Sequence, residues 1–522
     1  MDAEREDGLR SAVALRRMLQ SGNLASVADR TFRARAGEPL LDIDGRRATG
    51  AELRSGSEAV AARLVGSGAH QGSRVLLALP SSVEFAGAYF GVHLAGCAAL
   101  LANPSLTATE LGRLLDVGAP VSGIVSPPVL ETLHEHVLPA ATATLSKTSV
   151  LVTFAGAGAP SPRGPQGRPQ PSTGDEAVLA WTSGSTGEPK GVPLSHGNLL
   201  SSIRAVMTAW RWTPDDVVVH SLPLFHQHGL GALHTLALGG GRTVIRSRFD
   251  PDALTATLES ERASVLLAVP AIYQRLVEAE PRRERFASLR LAVSGSAPLP
   301  LSLFDAVAEM TGIAPVERYG MTESGLDVSN LYAGRRKPGA IGYALPGVEA
   351  IVVDADGELA APGEDGEIWL RGPQVFSGYL GQGGDGAFSD DGWLRTGDIG
   401  RVDPDDGSMS ITGRAKDVII SGGMNVYPRE VELVLEQHSA VAAVAVGGVQ
   451  STRWGEAVVA FVVPKGHTPP ASAELDELCR QSLAPYKRPK QFVIVDDLPR
   501  NHTGKVVRSA LAELAHREPG DG

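Results

Sequence analysis

Along most of the chain, short aliphatic runs alternate with longer stretches in which apolar residues recur every three or four positions. The runs at 75–79 (VLLAL), 123–125 (GIV), 218–221 (VVHS), 265–268 (VLLA) and 289–293 (LRLAV) read as buried strands, with helical patterns at 254–259 and 303–311 beside them. Such alternation predicts a layered α/β fold with mainly parallel sheets. From about residue 338 the texture becomes β-rich, punctuated by turn signals at 354–358 (DADGE), 363–367 (GEDGE) and 403–408 (DPDDGS). A small α/β unit follows from 418, with helices over 431–438 and 473–483 and strands over 441–446 and 458–463. Residues 155–175, AGAGAPSPRGPQGRPQPSTGD, carry no periodicity and are expected to form an exposed linker between two sub-domains of the large N-terminal part.

Composition narrows the class. A chain of 522 residues, 43% apolar and 20% charged, has enough apolar material for sizeable cores and suggests two to four domains. Its net charge of -11 argues against a nucleic-acid binder, which needs a basic face. Two distant cysteines, Cys97 and Cys479, offer neither a disulfide framework nor a structural zinc site, which fits a reducing cytoplasm. The first twenty residues are too charged for a signal peptide. The most apolar region, 75–102, is interrupted by Pro80, Glu84 and His93; it reads as a buried strand followed by a helix, and no run reaches the roughly 20 residues of a membrane span.

The strongest chemical signal is LAWTSGSTGEPKGVPLSHGN at 179–198. An apolar strand enters a loop of small and hydroxyl residues, reaches Lys190, and leads into a helix starting near His196. Glycines let backbone N–H groups approach a polyphosphate; Thr182, Ser183, Ser185 and Thr186 add hydroxyl donors beside Gly184 and Gly187, and Lys190 adds a point charge. The spacing is not that of an ordinary P-loop.

TSGSTGEPKG resembles the phosphate loop of the adenylate-forming superfamily, which comprises acyl-CoA synthetases, peptide-synthetase adenylation domains and firefly-type luciferases. The superfamily's other motifs follow in order: ERYGMTES (317–324), GWLRTGDIG (392–400), GRAKDVIISGGMNVYPREVE (413–432) and PRNHTGKVVR (499–508). The resemblance implies ATP, Mg²⁺ and coenzyme A as co-substrates and cofactor, and a carboxylic acid joined first to AMP. It implies an N-terminal domain over 1–412 that holds acyl group and ATP, a hinge over 413–417 turning on Lys416, and a mobile C-terminal domain over 418–522. By the same resemblance Thr322 contacts the α-phosphate, Glu323 holds Mg²⁺, Tyr319 stacks on adenine with Glu317 beside the nucleotide, Asp398 takes the ribose hydroxyls, and Arg414 contacts ribose or phosphate. Lys505 bridges the attacking carboxylate and the α-phosphate. Ser421, Gly422, Gly423 and Asn425 line a pantetheine tunnel, which supports coenzyme A as acceptor, although relatives that deliver to a carrier protein have similar sequences. Chemistry asks for such a set, because a carboxylate attacking a phosphate brings two anions together and needs cations and donors.

For the acid itself, PLFHQHGL (223–230) puts His226 where the family has a group beside the reacting carboxylate. SGSAPLP (294–300) resembles the loop bordering adenine through Ser296 and Ala297 and the acyl group through Ser294, with Met321 nearby. Arg318 replaces a glycine common among relatives that take aromatic or long apolar acids. An arginine in an apolar pocket needs an anion, and a carboxylate is its best partner. That partner is either an internal carboxylate, such as Glu317 or Asp327, or the second carboxylate of a substrate such as malonate or methylmalonate. ERYGMTE with the two-histidine segment resembles the malonyl-CoA synthetase branch, although 299–310 carries no basic residue where close malonate relatives often have an arginine.

Overall fold

A computed structural model describes residues 22–137, 139–154, 171–183, 189–381, 386–421, 424–451, 453–466, 468–500 and 506–515. Two large sheets carry the N-terminal part. One has seven strands in the order Ala141–Ser146, Ser149–Thr153, Ser122–Val125, Arg74–Ala78, Ala98–Leu101, Glu176–Ser183, Pro189–Ser195. The other has nine, with a parallel centre of Pro39–Ile43, Arg242–Ile245, Val217–His220, Val265–Ala268, Leu291–Ser294 and Val316–Tyr319.

Their uninterrupted apolar strands follow from burial on both faces. In the seven-stranded sheet Val75 and Leu77 face the central core, whereas Leu76 and Leu100 face the outer helices Ala108–Gly118 and Pro127–His136. In the nine-stranded sheet Val218 and Val265 face inward, and Val219 and Leu266 pack on the outer helices Pro251–Ser260, Pro270–Glu278 and Leu301–Thr311. The central layer contains the helices Val83–Leu94, His196–Ala209 and Gln227–Gly239.

The expected α/β layering is observed, with two adjustments. The apolar stretch 75–102 continues past its helix into a second strand, Ala98–Leu101, because the turn at Gly96 (φ 77°) reverses the chain. The proposed linker does not join two sub-domains. Its flanking strands, Ser149–Thr153 and Glu176–Ser183, belong to the same seven-stranded sheet, so 155–175 is an excursion within one sub-domain; most of it, 155–170, lies outside the described residues.

The β-rich segment forms a four-stranded antiparallel sheet that ends at Arg414. A 3₁₀ turn, Ala415–Asp417, carries the exposed Lys416, and a five-stranded sheet begins at Ile419. The C-terminal unit packs its helix Pro428–Leu435 on that sheet's own core. The same helix also approaches the strand Met409–Arg414, where Tyr427 lies on Gly413. Among the described residues no helix is long and apolar enough to cross a membrane.

Candidate active site

The site is organised where the strand Val316–Tyr319 leaves the nine-stranded sheet. Gly320 begins a tight reversal closed by the Gly325 N–H donating to the Met321 carbonyl (2.7 Å) and the Asp327 N–H donating to the Tyr319 carbonyl (3.1 Å). A Cβ at Gly320 would lie 1.9 Å from the Gly325 carbonyl oxygen, so this turn closes only over a glycine. Thr322 and Glu323 sit at its tip. The Thr322 carbonyl accepts from the Gln227 amide (2.8 Å), which ties the turn to the first turn of the helix Gln227–Gly239.

Glu323 is buried, and burial raises its pKa, while the Tyr379 hydroxyl donates to its Oε1 (2.8 Å). Lys190 Nζ lies 4.9 Å from the centre of the Tyr379 ring, which brings the phosphate-loop lysine and the expected metal-binding carboxylate to one aromatic side chain. Thr182 faces Lys190 across the hairpin formed by Glu176–Ser183 and Pro189–Ser195. The tip of that hairpin, with Gly184, Ser185, Thr186 and Gly187, lies outside the described residues, as do Lys505, Gly422, Gly423 and the side chains of Ser183 and Asn425. Ser421 is buried at the end of the strand Ile419–Ser421.

Asp398 stands at the centre of a second group. The Tyr319 hydroxyl donates to its Oδ2 (2.7 Å), and Arg414 Nε pairs with its Oδ1 (2.7 Å) across the antiparallel partners 398 and 414. Tyr319, Asp398 and Arg414, drawn from three distant motifs, are thereby in direct contact. Burial pushes the Tyr319 hydroxyl pKa well up, so it stays a donor.

Arg318 and Glu317 point to opposite faces of their strand, as the period of two requires. The Glu317 carboxylate is buried, accepts from the Gly339 N–H (3.1 Å), and feels Arg429 of the C-terminal unit; burial raises its pKa to about 8. Arg318 lines a cavity bounded by the helices His196–Ala209 and Gln227–Gly239. Its Nε and Nη2 are shut off from solvent and have no hydrogen-bond partner among the described residues. Burial lowers its pKa to about 10, which leaves it charged at neutral pH. Neither internal carboxylate forms an ion pair with it: Asp327 instead accepts from Ser324 Oγ (2.5 Å) and Gln374 Nε2 (3.0 Å), and burial raises the Asp327 pKa to about 6.

The histidine that lines the cavity beside Arg318 is His228, whose Nδ1 lies 3.2 Å from Ser296 Oγ. Burial holds its pKa well below the ordinary value, with Arg318 adding to the effect. His226 stands one residue before the helix, packed on Phe225 with ring centres 4.7 Å apart. Ser296 adopts φ 71°, a left-handed conformation uncommon outside glycine, with the half-buried Ala297 following it. Ser294 is buried at its strand end and Met321 packs on the central core; neither lines the cavity. Sequence reasoning passed over His228, Gln227, Gln374 and Tyr379. For the first two the signal was present, since 227, 228, 231 and 235 share one face of a helix opening at Gln227; Tyr379 sits in no motif.

With Lys190 and the buried Glu323 meeting at Tyr379, and Tyr319, Asp398 and Arg414 in one cluster, the geometry agrees with the motifs, and the chain belongs to the AMP-binding enzyme family. The family's model matches residues 28–380, and that of the AMP-binding enzyme C-terminal domain matches 430–505. Among individual proteins, the chain is 38% identical over 348 residues to a long-chain-fatty-acid–CoA ligase of Bacillus subtilis (strain 168), covering 65% of this chain and 62% of that one. It is 37% identical over 381 residues to the mitochondrial malonate–CoA ligase ACSF3 of Homo sapiens, covering 65% and 66%. The matches thus span just under two thirds of these relatives' own length. Among solved structures, ATP-bound MatB from Rhodopseudomonas palustris superposes with a TM-score of 0.83 at 34% identity, over 94% of this chain and 98% of that one.

Proposed function

We propose that the protein is an AMP-forming acid–CoA ligase whose acid is a malonate-type dicarboxylate, such as malonate or methylmalonate. The observation that carries the choice of acid is Arg318: a half-buried, charged guanidinium that faces a cavity and whose buried Nε and Nη2 have no hydrogen-bond partner among the described residues. Buried guanidinium N–H groups left without an acceptor are costly, so a site that keeps two of them beside a cavity suits an anion that arrives with the ligand. Similarity to a protein named malonate–CoA ligase supports the same reading.

In the first half-reaction one carboxylate oxygen of the acid attacks the α-phosphorus of ATP; an O–P bond forms and pyrophosphate leaves. Lys190 neutralises phosphate charge, Thr322 donates to the α-phosphate, and Lys505 bridges the attacking carboxylate and the α-phosphate, where charge crowding is greatest. Asp398 accepts from the ribose hydroxyls beside Tyr319 and Arg414. Glu323 is the residue that would hold Mg²⁺: a hard cation favours carboxylate oxygen and shares itself with triphosphate, where it would neutralise phosphate charge. In the second half-reaction the coenzyme A sulfur attacks the acyl carbon, a C–S bond forms and AMP leaves, with the thiol proton passing to solvent. Rotation about Lys416 would exchange Lys505 for the 421–425 segment between the two steps.

Acid-dependent pyrophosphate release across a panel of carboxylic acids, with and without coenzyme A, tests the proposal. Malonate or methylmalonate should exceed acetate and propionate at least about tenfold in kcat/KM, and sustained turnover should need coenzyme A. Preference for a monocarboxylate, or turnover indifferent to coenzyme A, would refute the acid or the acceptor respectively.

A further inference from the structure

The lining of the cavity extends well beyond Arg318. His228 and Arg318 stand at one end, the guanidinium lying where a Cβ on Gly295 would meet its Nε at 2.2 Å. From there the lining follows the helix through Gly231 to Thr235, seven residues and about 10 Å at the rise of an α-helix. The opposite wall runs along the helix His196–Ala209 through Ile203 and Val206 to Trp210 and Trp212.

The far end offers no countercharge among the described lining residues. Arg318 is the only Lys, Arg, Asp or Glu among the described lining residues. The polar groups near the tryptophans are engaged elsewhere: His234 Nε2 with the Tyr89 hydroxyl (2.7 Å), Thr235 with the Ala232 carbonyl (3.0 Å), and Trp210 Nε1 with Ser329 Oγ (3.0 Å). The exception is Trp212 Nε1, which is buried near Gly239 and Gly241 with no hydrogen-bond partner among the described residues; it is an uncharged donor, not a countercharge. A dicarboxylate with its charges at opposite ends would therefore bury one of them unpaired. A diacid with both carboxylates on one carbon keeps its charge at Arg318 and leaves an apolar bore free.

Gly231 keeps that bore open. A glycine inside a helix is unfavourable relative to alanine, so it wants a reason. Neighbouring glycines have a steric one: a Cβ at Gly229 would lie 2.2 Å from the Pro223 carbonyl oxygen, and one at Gly239 would lie 2.7 Å from Trp212. At Gly231 the nearest atom to an added Cβ is Ile203 Cδ1 at 4.0 Å, so a side chain fits the helix and its missing volume belongs to the cavity.

Resting on the dicarboxylate reading above, we infer that the acyl site takes malonates bearing an unbranched apolar arm on the central carbon, and that Gly231 sets the arm length it accepts. Each methylene buried between the two helices adds about fourfold to kcat/KM until the arm meets Trp210.

The test uses the full chain and steady-state pyrophosphate release with ATP and coenzyme A. Its substrates are malonate, 2-butylmalonate and 2-hexylmalonate, with hexanoate and octanoate as single-carboxylate controls. Butylmalonate should exceed malonate at least tenfold in kcat/KM. Gly231→Leu should lower the butylmalonate-to-malonate ratio at least tenfold whatever the absolute rate, and Gly231→Ala should lower it by less; the alanine variant serves alone if the leucine variant does not fold. Malonate outrunning butylmalonate in the unmodified protein, or a ratio unmoved by either substitution, would overturn the inference. Hexanoate and octanoate outrunning the alkylmalonates would instead sink the dicarboxylate reading and the inference with it, and a loss of chain-length preference in the Gly231 variants would then show that the bore alone was read correctly.

Discussion

At Asp398 both carboxylate oxygens are engaged before any nucleotide arrives, one by the Tyr319 hydroxyl and one by Arg414. A carboxylate has about four lone-pair sites, so it can still accept from two ribose hydroxyls while its neighbours fix its plane. Tyr319 thus acts through its hydroxyl as well as through the ring expected to stack on adenine. Tyr319→Phe removes a buried donor and leaves Asp398 Oδ2 short of a partner. We predict a loss of about 1–3 kcal/mol in denaturant unfolding, with a larger rise in KM for ATP than for the acid. An unchanged KM for ATP would mean that the hydroxyl serves the fold alone. The same scale explains Arg318. Glu317 is turned away from it by strand alternation, and Asp327, although near enough to feel its charge, spends its oxygens on Ser324 and Gln374.

Among the elements, legibility followed burial and periodicity. The strands Val265–Ala268 and Ser122–Val125 were readable because they are apolar on both faces, and the helix Leu301–Thr311 because its apolar residues recur at helical spacing. What joins to what was less readable. The polar excursion at 155–175 looked like a boundary because its composition breaks the pattern, yet strand pairing carries the chain back into the sheet it left. The site was legible where several motifs with chemical content met, as at Tyr319, Asp398 and Arg414. It was not legible at Tyr379, which reaches Glu323 only through tertiary packing, whereas His228 was legible from the face of the helix that opens at Gln227 and was passed over.

At the scale of the whole molecule, a group of buried charges lies where the C-terminal unit meets the rest. Arg429, on the helix Pro428–Leu435, pairs with Glu436 (2.6 Å) and approaches Glu432 (3.7 Å). Glu317 of the nine-stranded sheet faces the same arginine, and Glu436 accepts from the Leu301 N–H. Arg508 adds a second cation, pairing with Glu432 (2.7 Å) and lying 3.5 Å from Asp417 in the inter-unit turn. Burial raises the Glu317 pKa from an ordinary 4.5 to about 8. Between those values the folded protein holds a proton that the unfolded chain releases. Stability from this group is therefore present at low pH and lost as pH rises through the window. Glu317→Gln carries no such proton. Its melting temperature should gain on that of the unmodified protein from pH 5 to pH 8, by an amount equivalent to about 1–3 kcal/mol. A constant difference across that range would mean that Glu317 is ionised in the fold.

The central claim is that Arg318 recognises a carboxylate of the substrate other than the one that reacts. The most direct measurement compares kcat/KM for methylmalonate and propionate, which differ by that one carboxylate, in the unmodified protein and in Arg318→Met, which keeps the bulk and removes the charge. The account predicts that the preference for methylmalonate collapses on the order of a hundredfold while propionate turnover holds or rises. An equal loss for both acids would contradict it, and would make Arg318 a support of the fold or of the adenylation step rather than the reader of the second carboxylate.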